Sequence, residues 1–338
     1  MVAGYHALLT ARDDFMNHTS DAMQGKVLVC GSLAIDQIGR YDGSFQTYQD
    51  RFPVRSLNIS LQLANLHHTF GGCGMNITYG LTLLGVDCVP LTAAGLDFHD
   101  HYEAHLKALG VCLDYIIVDS DYASCASCIL LSDDDGNQIT AFHSGAAVSA
   151  KRPLPSQMDC IDKVSLAILA PEDAAIMLRQ ARDLNAAGIP ILFDPGQGLA
   201  EFGREEVCEL LELSDVVLVN SHEFDILLTT SGYNQETLIQ SMRSTIVTRG
   251  RKGVEVFLPD EHLMIASAPV SEFVDTTGCG DAFRAGYIYG MTRGYDAAVC
   301  AQFGNLMAAE NITSHEPQRY RVTEEALLAR HKEVYPVS

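Results

Sequence analysis

The chain has 338 residues, 47% of them apolar, and a formal net charge of −21. That length can bury one large core with a smaller attached unit, or two domains, and so acidic a chain is not expected to bind nucleic acid non-specifically. Ten cysteines scattered without a framework favour a reducing, cytoplasmic compartment, and no apolar run of the sequence is long enough to span a membrane.

Residues 1–25 lack the apolar segment of a signal peptide and are predicted to be an N-terminal extension that could be disordered. The pattern of a folded domain begins at Lys26 and is predicted to run to residue 338. Apolar runs and turn signals in the first half predict strands at 27–30, 88–92 and 111–118, helices at 76–85 and 98–109, and a hairpin over 124–142 that turns at Asp135-Gly136.

The second half alternates regularly between strands and helices. Strands are predicted at 166–169, 189–193, 216–219 and 245–248, with helices between them at 173–187, 204–213 and 223–230. A hairpin over 253–266 and helices at 281–292, 296–310 and 323–332 follow. This alternation predicts an α/β fold with a doubly wound, mostly parallel sheet flanked by helices. The polar segment 38–70 breaks the rhythm, and a small β-sheet lid is predicted from strands within about 36–70 and 111–142.

The most informative run is 275–283, with the sequence DTTGCGDAF. Gly278, Cys279 and Gly280 stand just before Asp281, which is predicted to open a helix. The first turn of a helix has unpaired N–H groups and the positive end of the dipole, and glycines let an anion come close to them. An acid beside such an anion hole suits a general base that takes a proton from a nucleophile, as phosphoryl transfer to a hydroxyl requires.

A simple N-cap is the alternative interpretation of this acid, because Asp is common there. The longer run argues against it, since Asp275 and two threonines add a second acid and two hydroxyls within nine residues. Other nucleotide motifs are absent from the sequence. It has no P-loop, and its two G-x-G segments carry Ile77 and Phe283 where a dinucleotide site needs a third glycine, which disfavours an NAD-dependent dehydrogenase.

Polar and small residues near the first strands form a second set of candidates. Gly71, Gly72 and Asn76 suit a close backbone approach to a polyhydroxyl substrate, although a glycine loop with an Asn cap would look the same. Ser32 and Asp36 follow the first strand, where ligands of open α/β sheets bind. The Asp36 carboxylate could accept hydrogen bonds from two hydroxyls, or it could be a solvated loop acid.

Two further segments follow strands of the second half. Asn220 and Glu223 suit a water-held Mg²⁺ near phosphates, and they equally suit a plain helix start. The basic, glycine-rich turn 248–253 could hold a nucleotide phosphate, or it could be an ordinary hairpin connection. His99, His101 and His105 lie on a mostly polar predicted helix and are interpreted as surface residues.

Together these motifs resemble the ribokinase (PfkB) family of sugar and nucleoside kinases, over about residues 26–335. The glycine pair with Asn76 and the run that ends at Asp281 are that family's two signatures, and the Asn-x-x-Glu and Thr-x-Gly-x-x-Gly segments lie between them in the expected order. Within the family the sequence is most similar to bacterial adenosine kinases, through segments such as DPGQ at 194–197 and DAFRAG at 281–286.

The resemblance implies a ribokinase-like fold and assigns roles to residues. Asp281 would be the base for a ribose 5′-hydroxyl, with Gly278, Cys279 and Gly280 as the anion hole. The other implied contacts are with ribose (Ser32, Asp36, Gly71, Gly72, Asn76), with the base (Phe142, Gln197) and with Mg-ATP (Asn220, Glu223, Thr248, Arg249, Gly250, Gly253, Asn305). Glu223 would hold Mg²⁺ through water, and Asp275 and Thr277 would lie at a monovalent cation such as K⁺.

Two departures fall in the implied base pocket. Cys128 stands where those adenosine kinases can carry an aromatic residue, and Gly198 replaces a second glutamine. Arg284, one turn after the predicted base, could bind phosphate or pair with an acid. The predicted activity is ATP-dependent phosphorylation of a nucleoside, adenosine to AMP in purine salvage, by a protein that could form a homodimer through its lid. The alternatives are a kinase of a simple sugar such as ribose and a non-catalytic nucleoside-binding protein, which would not need Asp281.

Overall fold

The structure is a computed structural model that describes residues 24–47, 60–135 and 137–336. The extension predicted for residues 1–25 therefore lies outside the described residues except for its last two positions. Part of the predicted lid segment, residues 48–59, and Gly136 of the predicted hairpin turn also lie outside them.

The secondary structure alternates between strands and helices as predicted. The strands are β1 (Lys26–Cys30), β2 (Ala34–Arg40), β3 (Asn65–Gly71), β4 (Cys88–Ala94), β5 (Ile116–Val118), β6 (Ser127–Ser132), β7 (Gln138–His143), β8 (Val164–Leu169), β9 (Ile191–Phe193), β10 (Val216–Asn220), β11 (Ser244–Thr248), β12 (Val254–Leu258) and β13 (Glu261–Ile265). The helices are α1 (Cys73–Leu83), α2 (Phe98–His101), α3 (Glu103–Leu109), α4 (Ala174–Ala186), α5 (Arg204–Leu213), α6 (Ser221–Ser231), α7 (Gln235–Ser241), α8 (Cys279–Thr292), α9 (Ala297–Asn311) and α10 (Glu324–Val334).

The large sheet has the strand order β13-β12-β11-β10-β9-β8-β1-β4-β5 within the described residues. Every neighbouring pair from β11 to β5 is parallel, and β12 and β13 add an antiparallel edge. Parallel strands are connected by helices that cover both faces, so their sequences are continuous apolar runs. This sheet confirms the predicted fold class.

Side chains of successive residues in β1 enter two different cores. Val27 and Val29 pack with residues of α1, α8 and α9 on one face, whereas Leu28 and Cys30 pack with residues of α4, α5 and α6 on the other. Period-two alternation sends neighbouring residues to opposite faces of a strand, and both faces are buried here. The site residues that follow these strands therefore stand on a rigid base.

The lid is a separate four-stranded sheet with the order β3-β2-β6-β7. Strands β2 and β6 are parallel, and β3 and β7 each pair antiparallel with a neighbour. One part of the lid prediction was wrong. The strand predicted at 111–118 is shortened to β5. It pairs in parallel with β4, from Thr92 to Ala94, and therefore belongs to the edge of the large sheet rather than to the lid.

Two predicted helices differ from the structure in ways that matter for the site. The helix predicted at 98–109 is divided at Tyr102, which caps both α2 and α3. The C-terminal motif helix α8 begins at Cys279 rather than at Asp281, because Gly278 adopts a left-handed conformation with φ 77° and its carbonyl accepts the N–H of Ala282. Asp281 is therefore inside the first turn and does not cap the helix.

A buried ion pair between residues that flank β8 gives a stability prediction. The guanidinium of Arg152 and the carboxylate of Glu172 lie 2.5 Å apart, and their side chains are 0% and 2% exposed. Arg152→Met should lower the free energy of unfolding by about 3–5 kcal/mol, because it leaves Glu172 charged without a partner. Urea unfolding measures the loss.

The exposed pair of Arg182 and Glu209 provides the control, with side chains 60% and 38% exposed. Arg182→Met should cost at most about 1 kcal/mol. The double variant Arg152→Met, Glu172→Leu should recover most of the loss, since no buried charge remains. Equal losses for the buried and exposed arginine variants would contradict this account.

Candidate active site

Several predicted site residues follow parallel strands at one edge of the large sheet. Ser32 follows β1, Asn220 ends β10, and Thr248 ends β11 beside it. Asp194, which was not predicted as a site residue, follows β9 at the same edge. The carboxyl ends of parallel strands meet at one edge, and the helices that start there direct their N-termini toward it. Residues that are far apart in the sequence therefore lie together along one edge of the large sheet.

Asp281 lies in the first turn of α8, where N–H groups lack partners within the helix, although that of Cys279 donates to the Thr276 carbonyl at 3.1 Å. Gly278 must be glycine for two reasons: its φ is positive, and a Cβ there would lie 2.6 Å from Pro317. A Cβ at Gly280 would come within 2.9 Å of the guanidinium of Arg284. These contacts explain why positions 278 and 280 lack side chains, and the exposure of Gly280 leaves its backbone open to an anion.

Asn76 joins the same point from α1. Its Nδ2 donates to Asp281 Oδ2 at 2.8 Å, and Asn76 is 7% exposed. Helix α1 begins after Gly72, whose φ of 88° favours glycine. Asn76 does not cap α1, which removes the simplest structural explanation for this residue. Two helix N-termini therefore converge on the Asp281 carboxylate.

The protonation of Asp281 reflects opposing influences. Burial raises the pKa of its carboxyl, whereas Arg284 and hydrogen bonds from Asn76 and Cys73 lower it, and Glu223 raises it further. The result is a net rise above the usual Asp range. A carboxylate with a raised pKa is a stronger proton acceptor, which suits a general base.

Arg284 is paired with an acid, one of the two roles predicted for it. Its Nη2 donates to Asp194 Oδ1 at 2.6 Å, and Asp194 is 0% exposed. Burial raises the pKa of Asp194, and the guanidinium opposes that rise. The pair ties the start of α8 to the loop after β9, which carries Gln197.

Asp36 lies where the lid joins the large domain. Its Oδ1 accepts the backbone N–H of Cys128 at 2.9 Å. A Cβ at Gly71 would lie 1.9 Å from Asp36 Oδ2, so only glycine fits beside this carboxylate. Ser32 Oγ accepts the N–H of Cys73 at 3.2 Å. The predicted ribose contacts Ser32, Asp36, Gly71, Gly72 and Asn76 are therefore neighbours in space.

The predicted base contacts are open to solvent. Phe142 is 72% exposed and pairs across the lid hairpin with Cys128, next to Asp36. Gln197 and Gly198 are exposed on the short 3₁₀ helix at Gly196–Glu201. A Cβ at Gly198 would meet only Phe202 at 3.9 Å, so the space that a second glutamine would occupy is free.

The predicted ATP residues lie along the other half of the edge. Asn220 and Glu223 form a reciprocal capping box at the start of α6, which is the plain helix start that the sequence also allowed. Glu223 is in addition only 4% exposed, and its charge raises the pKa of Asp281. Gly250 and Gly253 have positive φ, and a Cβ at Gly253 would lie 2.0 Å from the carbonyl of Ile265.

Two ATP candidates have partners of their own. Asn305 Nδ2 donates to the carbonyl of Ala266 at 2.9 Å, which keeps it beside the end of β13. The guanidinium of Arg249 forms an ion pair with Glu255 on β12. Binding of a phosphate by Arg249 would have to compete with this ion pair, so its role stays a prediction.

The predicted cation residues form a compact turn. Asp275 Oδ1 accepts both the N–H and the hydroxyl of Thr277 at 2.9 Å. Asn311 Nδ2 donates to the carbonyl of Thr277 at 2.8 Å and joins this turn to the end of α9. Within the described residues, no group of three or more His, Cys, Asp or Glu side chains could form a metal site. No helix of that part of the chain is both long and apolar enough to cross a bilayer.

Three residues around the site, Gln318, Tyr102 and His105, were not identified as functional from the sequence. Gln318 is 1% exposed and bonds Asn76, Tyr102 and His105, which place it directly behind the candidate base. His105 was interpreted as a surface residue, but it is partly buried and stacks on Phe70 at 4.0 Å. No local pattern marks these residues, because their partners are distant in sequence.

Residues 24–323 match the family model described as pfkB family carbohydrate kinase. The chain belongs to this family. This PfkB kinase is therefore a phosphotransferase that acts on a hydroxyl group, an ATP-dependent kinase of a nucleoside or a sugar. The predictions of family, fold and reaction type are confirmed, whereas particular closeness to adenosine kinases stays a prediction.

The similar proteins include nucleoside and sugar kinases. A nucleoside kinase of Burkholderia thailandensis, solved in complex with inosine, is 31% identical with a TM-score of 0.83 and covers 92% of this chain and 99% of its own. The nucleoside kinase of Methanocaldococcus jannaschii is 27% identical over 84% of this chain and 89% of its own, and the structure of that enzyme gives a TM-score of 0.82. The ribokinase of Bacillus subtilis is 26% identical over 73% of this chain and 83% of its own.

Asp36 generates a pH prediction for this kinase. Burial raises the pKa of its carboxyl to about 6, against the lowering effect of the Cys128 N–H. As the pH falls through about 6 the carboxyl takes up a proton and loses acceptor capacity for substrate hydroxyls. The KM for the acceptor should therefore rise on acidification, while the KM for ATP changes little. Steady-state kinetics over a pH series measures both.

Variants separate Asp36 from other acids. Asp36→Asn should raise the acceptor KM at every pH and remove its acid rise. Asp42→Asn, which alters a lid acid whose side chain is 69% exposed, should preserve the wild-type profile. An acid rise that persists unchanged in Asp36→Asn would contradict the assignment.

Proposed function

We propose that this PfkB kinase transfers the γ-phosphoryl group of ATP to the 5′-hydroxyl of a nucleoside, with adenosine as the first candidate acceptor. The observation that carries the proposal is the Asp281 carboxylate, held by Asn76 at the meeting point of two helix N-termini. The similar nucleoside kinases support a nucleoside acceptor, and the one solved with inosine supports a purine. Conversion of adenosine to AMP would serve purine salvage.

In the proposed reaction, Asp281 accepts the proton of the 5′-hydroxyl. The hydroxyl oxygen forms a bond to the γ-phosphorus, the bond from that phosphorus to the β–γ bridging oxygen breaks, and ADP leaves. The N–H groups of Gly278 and Gly280 would stabilise the charge on the transferred group, and that of Cys279 would join them by leaving the Thr276 carbonyl. Asp36 and the Gly71-Gly72 backbone would hold the ribose, so that the hydroxyl stands in line.

A base pocket distinguishes a nucleoside kinase from a kinase of a simple sugar. The exposed ring of Phe142 supports such a pocket because it lies on the lid face that carries Asp36 and Cys128. Gln197 offers amide donors and acceptors from the loop that Asp194 anchors. The alternative acceptor, a sugar such as ribose, is favoured by the similarity to ribokinase and needs neither residue.

The residues present fit Mg²⁺ and a monovalent cation as partners of ATP. Mg²⁺ usually keeps several waters and binds phosphates with one or two carboxylates, which fits a single buried Glu223 better than a protein cage. When bound, Mg²⁺ would neutralise charge on the phosphates. Asp275 and the Thr277 turn would carry a K⁺ ion that favours the anion-hole geometry.

ADP release with a panel of acceptors tests the proposal. The panel contains adenosine, inosine, guanosine, cytidine, ribose and fructose 6-phosphate, each assayed with Mg²⁺ and K⁺, with EDTA, and with tetramethylammonium in place of K⁺. We expect the highest kcat/KM with adenosine or another purine nucleoside and loss of turnover in EDTA. Turnover with ribose but with none of the nucleosides would replace the proposal by its alternative.

Asp281→Asn tests the base directly. Its kcat should fall by about 10²–10⁴-fold while ATP binding, measured by calorimetry, persists. Asp296→Asn is a matched control, because Asp296 caps the neighbouring helix α9 and Asn caps equally well. Wild-type turnover in the Asp281 variant would remove the base assignment.

We also propose that the protein forms a homodimer through the outer face of its lid. Strand register places Leu66, Gly39, Leu131 and Ile139 in one row, on the opposite face from Asp36 and Phe142. Leu66 is 55% and Ile139 is 43% exposed. An exposed apolar face on a small sheet is typical of an interaction surface, and its symmetric use by two copies would bury it.

Light scattering after size-exclusion chromatography tests the lid dimer. The wild type should have the mass of a dimer, and Ile139→Lys should shift it toward the monomer. Thr140→Lys is the matched control, since Thr140 is exposed on the same strand but on the opposite face. A monomeric wild type would refute the proposed dimer.

A further inference from the structure

A chain of hydrogen bonds connects the base of the lid to the candidate catalytic acid. The Tyr102 hydroxyl donates to the carbonyl of Gly71 at 2.8 Å. Gln318 Nε2 donates both to that hydroxyl at 2.6 Å and to Asn76 Oδ1 at 2.9 Å. Asn76 Nδ2 then donates to Asp281 at 2.8 Å. We call these five residues the Gly71–Asp281 chain.

The direction of every bond in this chain follows from its first member. A backbone carbonyl can only accept, so Tyr102 must use its single proton on Gly71. Tyr102 must then accept from Gln318, which identifies the Gln318 atom that faces it as nitrogen. The second proton of that nitrogen requires an oxygen at Asn76, so the Asn76 nitrogen necessarily faces Asp281. The orientation of the Asn76 amide beside Asp281 is thereby fixed by hydrogen bonds that begin at the lid.

His105 completes the constraint on Gln318. Its Nε2 lies 3.0 Å from Gln318 Oε1, and that oxygen only accepts, so Nε2 carries the proton. The imidazole stacks on Phe70 of β3 at 4.0 Å. Burial lowers the pKa of His105, so the ring is held as the neutral Nε2–H tautomer. With oxygen and nitrogen both committed, Gln318 has no equivalent flipped orientation.

Burial makes the constraint costly to break. Tyr102 is 0%, Gln318 is 1% and Asn76 is 7% exposed, so water cannot readily replace a lost partner. An unsatisfied buried polar group costs far more than the net gain from one hydrogen bond. A rotation of the Asn76 amide would orphan groups at both ends and would turn its oxygen toward a carboxylate.

We propose that Gln318 is a positioning residue for phosphoryl transfer, which orients the Asn76 amide so that its N–H holds the Asp281 carboxylate. The inference rests on the proposed role of Asp281 as the base. Gln318 touches no reacting atom in this account and acts through Asn76. Because the Gly71–Asp281 chain also begins at the glycine that fits against Asp36, it keeps the acceptor-binding backbone and the base in one alignment.

Gln318→Met tests the proposal, because Met fills a similar volume without donors. In a folded variant, kcat should fall by about ten- to a hundredfold, while the KM for ATP stays unchanged, since the base is misplaced and the nucleotide residues are not. Gln180→Met is the matched control: Gln180 is also 1% exposed and has no hydrogen-bond partner for its amide. Its kcat should equal that of the wild type.

The pH profile gives a readout that a merely structural role would not change. The Asn76 N–H lowers the pKa of Asp281, so loss of that bond should move the acid limb of kcat/KM to higher pH in Gln318→Met. The other groups that act on Asp281 are unaltered in the variant and in the control: Arg284, Cys73, Glu223, Asp36 and Asp194.

Two further variants test the path through Asn76. Gln318→Glu keeps the shape but cannot donate, so Asn76 turns its nitrogen toward Glu and its oxygen toward Asp281. Its kcat should fall at least as far as that of Gln318→Met. In an Asn76→Ala background, Gln318→Met should cause no further loss of kcat, because the residue it acts through is already gone.

The outcomes separate this inference from the proposed function. If Asp281→Asn turns over normally, the base assignment itself is wrong. If Asp281→Asn is inactive but folded Gln318→Met has the kcat and pH profile of the wild type, Gln318 does not position the base and the inference is overturned. Additive losses from Asn76→Ala and Gln318→Met would likewise overturn it.

Discussion

A hydrogen bond from the Asn76 amide to the Asp281 carboxylate joins residues 205 positions apart and holds the two halves of the site together. Each residue lies in the first turn of a helix, and each helix follows a glycine of positive φ, at Gly72 and Gly278. Two positive helix ends therefore meet at one carboxylate. A displacement of either helix would separate the proton acceptor from the backbone that holds the ribose.

The site must also receive phosphate groups in a chain of net charge −21. Four acids lie at or near its centre, Asp36, Asp194, Glu223 and Asp281, and Arg284 is the guanidinium buried among them. Burial raises the pKa of Asp36, Asp194 and Asp281, and the Arg284 guanidinium opposes that rise at Asp194 and Asp281, so its charge offsets part of the negative charge that an incoming phosphate meets. Backbone N–H groups provide the remaining attraction, and they need no countercharge when the site is empty of substrate.

The sequence predicted the parts of the site that follow from local chemistry. Gly278 to Asp281 and the glycines before Asn76 are recognisable because a close anion approach needs residues without side chains. The start of α8 was placed two residues late, since Asp281 resembles a cap and the left-handed Gly278 is the real boundary. Strand 111–118 was assigned to the lid because an apolar run does not say which sheet it joins. Gln318 was not identified from the sequence because its position in the site depends on hydrogen bonds with Tyr102, His105 and Asn76, none of which is near it in sequence.

One residue, Asp36, determines both the strand register of the lid and the shape of the proposed acceptor pocket. Because side chains alternate across a strand, a slip of one residue between β2 and β3 would carry Asp36 to the outer face and an apolar side chain to the inner one. The contact of Asp36 with Gly71 opposes such a slip, because any residue with a Cβ at that position would collide with the carboxylate. The bond from the Cys128 N–H fixes β6 on the other side of β2. The carboxylate that is proposed to bind ribose hydroxyls is thus also the element that aligns three of the lid strands, so selection for the lid fold and selection for the pocket act on the same residue.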